Sequence, residues 1–405
     1  MPTYDKELGL AIQEGIRLTV GILNTKRTRD PTLLDFQETS KITLPKTRVG
    51  TNRESKSQYF KDYAPIVFKR IRAMFGVDAA DYLLSICGEQ ELLSQLTEGK
   101  SGAFFYFSPD RTYIIKSMTK AEAHFLFSKL HLYYNHILRN PHTLLTRYFG
   151  LHRVKKSNGS KVYLLVMNNI IDTSITIDSK YDLKGSLHQR RTKNRKPGAT
   201  LKDLDFLDLS GPIEIPIYMK KLLEQQLYYD TMFLKEMNLL DYSLLLGVAS
   251  SEQQKSLATE STASQTPESR GPSTSTIQHK AILSTLPSVE SDSFARDRRM
   301  TARYSGSGEF LPEHLRQPTL FRPQNRKKTL QSVFQRDHGG ILSLKGDKIY
   351  YVGIIDLLTL WGPKKWLEHN IKVPFQGRDI SAVTPSHYAS RFNDFMRENV
   401  LGIKE

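Results

Sequence analysis

The sequence predicts an α+β fold in which two structured blocks flank a long insertion. Strand-like and helix-like segments are mixed along the chain, without the strict alternation that is typical of a doubly wound sheet. The 405 residues suffice for one large domain or for two lobes. Between residues 249 and 336 the chain becomes rich in Ser, Thr, Gln, Pro and Arg and loses apolar periodicity, so we predict a disordered insertion there.

The first block is predicted to contain a strand hairpin, a helix and a further strand. The run AFFYFSPDRTYIIKSM, residues 103–118, alternates in polarity and is interrupted by a Ser-Pro-Asp-Arg turn, which is typical of two antiparallel strands. Residues 119–136 have the periodicity of a helix, and KVYLLVMNN, residues 161–169, has the composition of a strand.

The second block is predicted to contain strands and two helices. Strands are indicated near ITIDSKYDLKG and at YSLLLGV and KIYYVGIID, and a helix at residues 217–237. The last helix should begin after Thr384, an N-cap residue, with Pro385 in the first helical position.

Charge and composition limit the partners of this chain. The 58 Lys and Arg residues exceed the 42 Asp and Glu residues, and a net charge of +16 favours a phosphate-bearing partner such as a nucleotide, a nucleic acid or an anionic lipid surface. No apolar run reaches the roughly 18 residues of a spanning helix, so we expect any membrane role to be played from the surface. The single cysteine, Cys87, and the lack of a secretory pattern at residues 1–20 predict a reducing, cytosolic location.

Several residues have the types and positions that phosphoryl transfer requires. The reaction needs backbone amides and a cation near the phosphates, carboxylates for magnesium, and a group that orients the acceptor hydroxyl. Gly99, Ser101 and Gly102 precede the predicted hairpin, where glycine lets the backbone approach a phosphate, and Lys116 ends the second strand. An ordinary glycine turn and a solvated lysine are the alternative.

Three acidic residues could complete such a site. Glu122 begins the helix after the hairpin and could pair with Lys116, although a solvated glutamate fits the spacing equally well. Asp241 directly precedes YSLLLGV, and Asp356 directly follows KIYYVGII. Carboxylates at the ends of apolar strands are costly unless a cation or a hydrogen-bond donor meets them, so metal binding and strand capping both remain open.

A basic cluster follows a predicted strand in YDLKGSLHQRRTKNRK. Lys184, Arg190 and Arg191, with three later basic residues, suit a polyanionic head group, and a solvated loop is the alternative.

Both tryptophans of the chain lie in WGPKKWLEHNIKVPF. Trp361 and Trp366 bracket Lys364 and Lys365, which favours an anchor at a membrane interface, with an amphipathic core helix as the alternative.

Other classes of protein find little support in the sequence. The motifs H-R-D, D-F-G, A-P-E and G-x-G-x-x-G do not occur, which argues against an ordinary protein kinase. Zinc-ligand spacing, a basic region with heptads and an RNP-like motif do not occur either, so we predict no nucleic-acid partner.

Many of these segments resemble one known family when they are taken together and in order. The segments YFKDYAPIVFKRIRAMFGV, GKSGAFFY, NPHTLLTRYFGLHRV, KYDLKGSLHQRR, LDYSLLLGV and YYVGIIDLL are similar to the phosphatidylinositol phosphate kinases, and in particular to their type I branch, the phosphatidylinositol 4-phosphate 5-kinases. The resemblance implies a two-lobed, kinase-related α+β fold with ATP between the lobes. It assigns residues 1–170 to the N-terminal lobe, residues 171–248 and 337–405 to the C-terminal lobe, and residues 249–336 to the insertion.

The resemblance also implies roles for individual residues. Lys116 would bind the nucleotide phosphates beneath the loop at residues 99–102, Asp356 would bind Mg²⁺, and Asp241 would be the catalytic-loop aspartate. The adenine-side segment would be formed by Val166, Met167, Asn168 and Asn169.

Further residues would contact the lipid and the membrane. Lys184 and Arg190 would hold the phosphate already present on the inositol, and Lys364 and Lys365 would match the dilysine of the membrane-binding specificity segment. Ser390 in HYASRF stands where type I members carry Glu, which bears on the choice of substrate.

The implied activity is transfer of the ATP γ-phosphate to the inositol 5-hydroxyl of phosphatidylinositol 4-phosphate, at the cytosolic face of the plasma membrane and on its anionic surface. The alternatives are a related kinase of different positional specificity and a catalytically weak membrane-binding scaffold. The sequence leaves the oligomeric state open, a homodimer included.

Overall fold

Two principal sheets organise the chain, and both are visible in a computed structural model. The structure describes residues 6–45, 58–96, 103–171, 176–251, 332–335, 339–362 and 383–403. None of the described helices is long and apolar enough to cross a membrane.

The first sheet has seven strands, and all of its neighbouring strands are antiparallel. They are β1 (Thr39–Thr43), β2 (Tyr59–Tyr63), β3 (Leu93–Leu96), β4 (Phe104–Phe107), β5 (Tyr113–Met118), β6 (Tyr148–Lys155) and β7 (Lys161–Asn168). Their spatial order is β1, β2, β6, β7, β5, β4, β3, so β5 pairs with β4 on one side and with β7 on the other.

Four helices belong to this part of the chain: α1 (Lys6–Asn24), α2 (Pro65–Met74), α3 (Ala79–Cys87) and α4 (Lys120–Arg139), with a 3₁₀ turn at Leu33–Phe36. The Gln13 amide of α1 donates to the Ile86 carbonyl of α3 at 3.0 Å. The last residue of α3, Cys87, is buried, and this burial raises the pKa of its thiol to about 12. A chemically inert thiol therefore lies beneath α1.

The second sheet has five strands: β8 (Ser179–Leu183), β9 (Thr200–Leu201), β11 (Ser243–Ser250), β12 (Ile341–Leu342) and β13 (Lys348–Ile355). The spatial order of these strands is β12, β13, β11, β8, β9. In this sheet, β8 and β9 run parallel to each other. A separate two-stranded ladder joins β10 (Leu239–Leu240) to β14 (Thr359–Leu360).

The helices around the second sheet are α5 (Asp203–Leu209), α6 (Ile217–Glu236) and α7 (Pro385–Phe395), with a 3₁₀ turn at Val333–Gln335 and a π-helical turn at Met396–Val400. As predicted, α7 starts after Thr384, whose side chain accepts a hydrogen bond from the His387 amide at 3.3 Å, with Pro385 in its first position. The helix contacts α6 through the Asn393 amide, which donates to the Thr231 hydroxyl at 2.8 Å.

Most of the predicted elements are confirmed, and the α+β class with them. The hairpin, α4, β7, α6, β11 and β13 all begin within two residues of the predicted positions. No helix or strand was predicted before residue 103, where the described residues form three helices and three strands.

The predicted insertion at residues 249–336 is too wide at both ends. Ala249 pairs with Ile349 in the ladder between β11 and β13 and is fully buried, and Phe334 is 1% exposed. Burial of these apolar residues attaches both ends to the folded part of the chain. Residues 252–331 and 336, the remainder of the predicted insertion, lie outside the described residues.

Candidate active site

An ion pair joins the two principal sheets. Lys116 lies on β5, and its ammonium nitrogen is 2.7 Å from Oδ1 of Asp356, which directly follows β13. The side chains are 25% and 45% exposed, so the pair borders solvent. A cation from one sheet and a carboxylate from the other thus meet at an accessible position.

Asp241 lies at the same end of the second sheet as Asp356. Ser243 pairs with Ile355, and this antiparallel register brings the residues before Ser243 alongside those after Ile355. Both aspartates have left-handed backbone conformations, with φ values of 62° and 61°. Left-handed conformations are uncommon outside glycine, although Asp adopts them more readily than most residues, and the chemical role of both carboxylates stays a prediction.

Glu122 does not pair with Lys116. Its Oε2 accepts hydrogen bonds from the Thr119 amide at 2.7 Å and from the Thr119 hydroxyl at 2.8 Å, and the Thr119 hydroxyl in turn accepts one from the Glu122 amide. The two residues form a capping box at the start of α4. The suggested pairing of Glu122 with Lys116 is therefore wrong, since this carboxylate stabilises the helix and Lys116 pairs with Asp356.

The predicted adenine-side segment divides into a core residue and three accessible ones. Val166 is fully buried and pairs with Ile115 of β5 and Gly150 of β6, so its place is the core of the sheet. The following Met167, Asn168 and Asn169 are partly exposed. The cofactor role predicted for these four residues stays a prediction.

The chain then crosses to the second sheet through two isoleucines. A Cβ atom on Gly353 would lie 2.5 Å from Cδ1 of Ile170, and one on Gly247 would lie 3.1 Å from Cδ1 of Ile171. The two glycines leave the space into which these side chains pack. Sequence reasoning missed this function of the glycines in LLLGV and YYVGII.

The loop that carries Lys184 is held by a buried carboxylate that sequence reasoning did not identify. Oδ1 of Asp203 accepts hydrogen bonds from the amides of Lys184 and Gly185 at 2.9 and 2.8 Å. Gly185 has a φ of 66°, and a Cβ atom there would lie 2.9 Å from the Arg391 carbonyl oxygen of α7. The Lys184 loop is therefore fixed between Asp203 and α7.

Arg190, which was predicted to hold a lipid phosphate, is engaged by protein carboxylates. Its Nε donates to Oδ2 of Asp203 at 2.6 Å, and its Nη2 donates to Oδ1 of Asp182 at 2.8 Å. The Asp203 side chain is fully buried and that of Arg190 is 15% exposed. The geometry thus shows that Arg190 helps to hold the loop, and its contact with a lipid phosphate stays a prediction.

The neighbouring basic residues are also partly neutralised. Arg191 pairs with Asp208 on the exposed face of α5, and Arg195 donates to Asp205 at 2.6 Å. The ammonium group of Lys184 forms no hydrogen bond or ion pair with the described residues, and the residue is partly exposed. It is therefore the better candidate for contact with a head-group phosphate.

The remaining predicted site residues are distributed as follows. Gly99, Ser101, Gly102, Lys364, Lys365 and Trp366 lie outside the described residues. The backbone of Trp361 exchanges hydrogen bonds with Asn238 beside β10, with its amide donating to the Asn238 carbonyl at 3.0 Å. Ser390 is exposed on α7, and its hydroxyl donates to Oδ2 of Asp394 at 3.3 Å.

Comparison with known proteins agrees with this arrangement. Residues 86–399 match the family model described as Phosphatidylinositol-4-phosphate 5-Kinase. The chain is 34% identical to phosphatidylinositol 4-phosphate 5-kinase 8 of Arabidopsis thaliana, over 97% of this chain and 54% of that protein. It is also 34% identical to phosphatidylinositol 4-phosphate 5-kinase type-1 alpha of Homo sapiens, over 98% of this chain and 66% of that protein.

A relative from Schizosaccharomyces pombe, also named a phosphatidylinositol 4-phosphate 5-kinase, is 33% identical over 95% of this chain and 52% of its own length. The chain spans about half to two thirds of the length of these curated relatives. The family match extends from α3 to the π-helical turn and so includes both principal sheets and the pair of Lys116 with Asp356. The chain belongs to the phosphatidylinositol-4-phosphate 5-kinase family.

Proposed function

We propose that this chain transfers the γ-phosphate of ATP to the 5-hydroxyl of phosphatidylinositol 4-phosphate and so produces phosphatidylinositol 4,5-bisphosphate. The observation that carries the proposal is the 2.7 Å pair of Lys116 and Asp356 between the two sheets, with Asp241 at the same sheet end. The relatives that are named phosphatidylinositol 4-phosphate 5-kinases support the choice of lipid.

The donor set fits ATP with Mg²⁺. Among the described residues no group of three or more His, Cys, Asp or Glu side chains is arranged to hold a metal. Mg²⁺ bound together with a nucleotide commonly needs only one or two protein carboxylates, because substrate phosphates and water complete its coordination. Asp356 would supply such a carboxylate, and bound Mg²⁺ would neutralise charge on the transferring phosphate.

The residues of this chain would divide the remaining tasks. Lys116 would leave Asp356 and bind the nucleotide phosphates as a point charge. Asp241 would orient the acceptor hydroxyl and accept its proton. Lys184 would bind the phosphate already present on the inositol, while Asp203 and Arg190 keep its loop in shape.

We further propose that this reaction occurs at an anionic, cytosolic membrane surface. The net charge of +16 supports attraction to such a surface. The residues proposed to contact this membrane surface are Trp361, Lys364, Lys365 and Trp366.

The deciding experiment measures phosphate transfer from labelled ATP to vesicles that contain one monophosphorylated phosphatidylinositol at a time, phosphorylated at position 3, 4 or 5. The position of each new phosphate is then determined, and Asp356→Asn serves as the inactive control. We expect the highest turnover on the 4-phosphate lipid, with the product phosphorylated at position 5. A preference for the 5-phosphate lipid would overturn the positional assignment, and vesicle binding without transfer would favour the scaffold alternative.

A further inference from the structure

A buried carboxylate connects the helices of the two halves. Asp230 lies on α6 and is fully buried. Its Oδ1 accepts hydrogen bonds from His136 Nε2 of α4 at 2.7 Å, from the Thr143 hydroxyl at 2.7 Å and from the Gln226 amide at 3.1 Å. Its Oδ2 accepts one from the Leu144 amide at 2.8 Å. Burying a carboxylate costs free energy unless hydrogen-bond donors meet it, and four donors meet the Asp230 carboxylate.

The segment that Asp230 holds is hydrogen-bonded to the end of β13. The Ile354 amide donates to the Leu144 carbonyl at 2.7 Å, and the Ile354 carbonyl accepts from the Thr146 amide at 3.0 Å and from its hydroxyl at 2.7 Å. Leu145 and Ile354 form an isolated parallel bridge. Residues 144–146 thus add a short strand to β13, two residues before Asp356.

The same segment is attached to the first sheet. The Tyr133 hydroxyl of α4 donates to the Thr146 carbonyl at 2.9 Å and accepts from the Tyr148 amide, at the start of β6, at 3.0 Å. The His136 ring stacks on Phe233 of α6, with 4.3 Å between the ring centroids. Hydrogen bonds therefore lead from α6 and α4 through residues 144–146 to both sheets.

We propose that Asp230 is a positioning residue for Asp356. By holding Leu144, it fixes the strand that pairs with Ile354 and thereby sets the end of β13 at the distance from β5 at which Lys116 and Asp356 meet. The proposal rests on the proposed function, because it assigns Asp230 a part in arranging the phosphoryl-transfer site without contact with substrate. Misplacement of reacting groups by about 1 Å can lower a rate by about a hundredfold, so a residue that positions Asp356 without contacting substrate can still affect the rate of transfer.

Asp230→Asn provides the test, since it is close to isosteric with Asp. If the amide oxygen keeps the donors on Oδ1, the amide nitrogen must face the Leu144 N–H, and two donors cannot bond each other. The matched control is Asp62→Asn. Asp62 is also buried and pairs with a buried histidine, His152, at 3.0 Å, but this pair lies within the first sheet between β2 and β6.

Both variants of the full chain should be compared at a temperature at which circular dichroism shows them folded. We expect Asp230→Asn to lower kcat by at least about tenfold with a smaller change in the KM for lipid, and Asp62→Asn to leave kcat within about twofold of wild type. Thr143→Val and His136→Gln test the same site if Asp230→Asn does not fold. His136→Gln keeps an N–H donor for Asp230, so this variant should retain more activity than His136→Ala.

Hydrogen exchange provides a readout that does not depend on activity. In the ligand-free protein, the Ile354 and Thr146 amides should exchange faster in Asp230→Asn than in Asp62→Asn. Unchanged exchange at these amides, or equal losses of kcat in the two Asn variants, would overturn the positioning role. A wild-type chain that transfers no phosphate would refute the proposed function, while the exchange result would still decide whether Asp230 holds β13.

Discussion

Arg190 and Arg191 are neighbours in sequence, yet their carboxylate partners differ in burial. Arg190 bonds Asp203, which is fully buried, whereas Arg191 bonds Asp208 on the surface. An exposed pair contributes little because water and salt screen it, but a buried carboxylate that loses its cation has no water to replace it. Two adjacent arginines in one basic cluster should therefore differ in their effect on stability.

Arg190→Gln should lower the free energy of unfolding by about 3 kcal/mol, because it leaves Asp203 buried with one cation fewer. Arg191→Gln should cost less than about 1 kcal/mol. Urea denaturation of the two variants measures both values. If both variants lose equally little free energy of unfolding, and only Arg190→Gln has a raised KM for lipid, Arg190 is instead a substrate ligand.

Lys116→Ala, Asp241→Asn and Asp356→Asn should each reduce phosphate transfer by about 10²-fold or more, because this reaction depends on charges placed around the phosphates. The Lys116 and Asp356 variants should remain folded, since their pair borders solvent and contributes no more than about 1 kcal/mol. Turnover on lipid vesicles and thermal unfolding measure the two effects separately. Wild-type turnover in any of these folded variants would remove that residue from the mechanism.

Stability should depend on Asp205 at acid pH. Burial alone would raise its pKa, but hydrogen bonds from Thr192, from the Lys202 amide and from Arg195 lower the pKa to about 2. A carboxylate whose folded pKa is lowered stabilises the fold above its unfolded pKa of about 3.9, and this stabilisation is lost as the pH falls from there through 2.

The gap in urea midpoint between wild type and Asp205→Asn should therefore narrow as the pH is lowered from 5 to 3. Asp208→Asn, on the exposed face of the same helix, is the control. A gap that stays constant over this range would contradict the assigned linkage.

The sequence predicted single residues well where local pattern determines their position. The site aspartates were found because each adjoins an apolar strand, and Thr384 because capping is local. The partner of Arg190 was not predictable in this way, because Asp203 lies 13 residues away and reaches it only through tertiary packing. Asp230 had a weak signal: it is an acidic residue at helical spacing from Leu227 and Leu234, which are both buried.

Helices and strands with strong periodicity were predicted, and the boundary of the insertion was not. The regular spacing of Leu8, Ile12 and Ile16 indicates the buried face of α1, so periodicity could have identified this missed helix. The ends of the insertion could not be located from composition. The polar Ser251 is buried and its amide donates to the Asp347 carbonyl at 2.8 Å, a contact between distant residues.

Replacement of residues 253–330 by a short Gly-Ser linker should preserve both stability and activity. The polar composition of this segment predicts no contribution to a core, and the entropy of closing a loop grows only as about (3/2)RT ln n. A longer deletion, residues 250–337, should destabilise the protein by about 3 kcal/mol or more, because it also removes the buried Phe334. Thermal unfolding of both deletions checks this, and a collapse of the shorter deletion would mean that the segment is structural.

At the scale of the whole molecule, three sets of contacts among the described residues join the two principal sheets. These are the ion pair of Lys116 with Asp356, the strand added to β13 by residues 144–146, and the two isoleucines that pack on Gly353 and Gly247. Of these three, the ion pair is the one that can open without disrupting packed apolar side chains or backbone hydrogen bonds. Ligand binding should therefore perturb the ion pair more readily than the other two connections.

Lys364→Glu combined with Lys365→Glu should weaken binding to anionic vesicles by about two orders of magnitude or more, because each basic residue near such a surface contributes about 1 kcal/mol and reversal also adds repulsion. Nucleotide affinity should change little. Vesicle sedimentation over a series of salt concentrations measures the effect. Identical binding of wild type and the double variant at every salt concentration would rule out this membrane contact.

The buried thiol beneath α1 has a practical consequence for studying motion between the sheets. Cys87 is the chain's sole cysteine, and a thiol whose pKa is about 12 carries almost no reactive thiolate at neutral pH. Cysteines introduced at exposed positions such as Leu34 and Leu209 should therefore react with spin labels far faster than Cys87 does. Distances between the two halves, with and without nucleotide, can then be measured in a protein that retains its native cysteine.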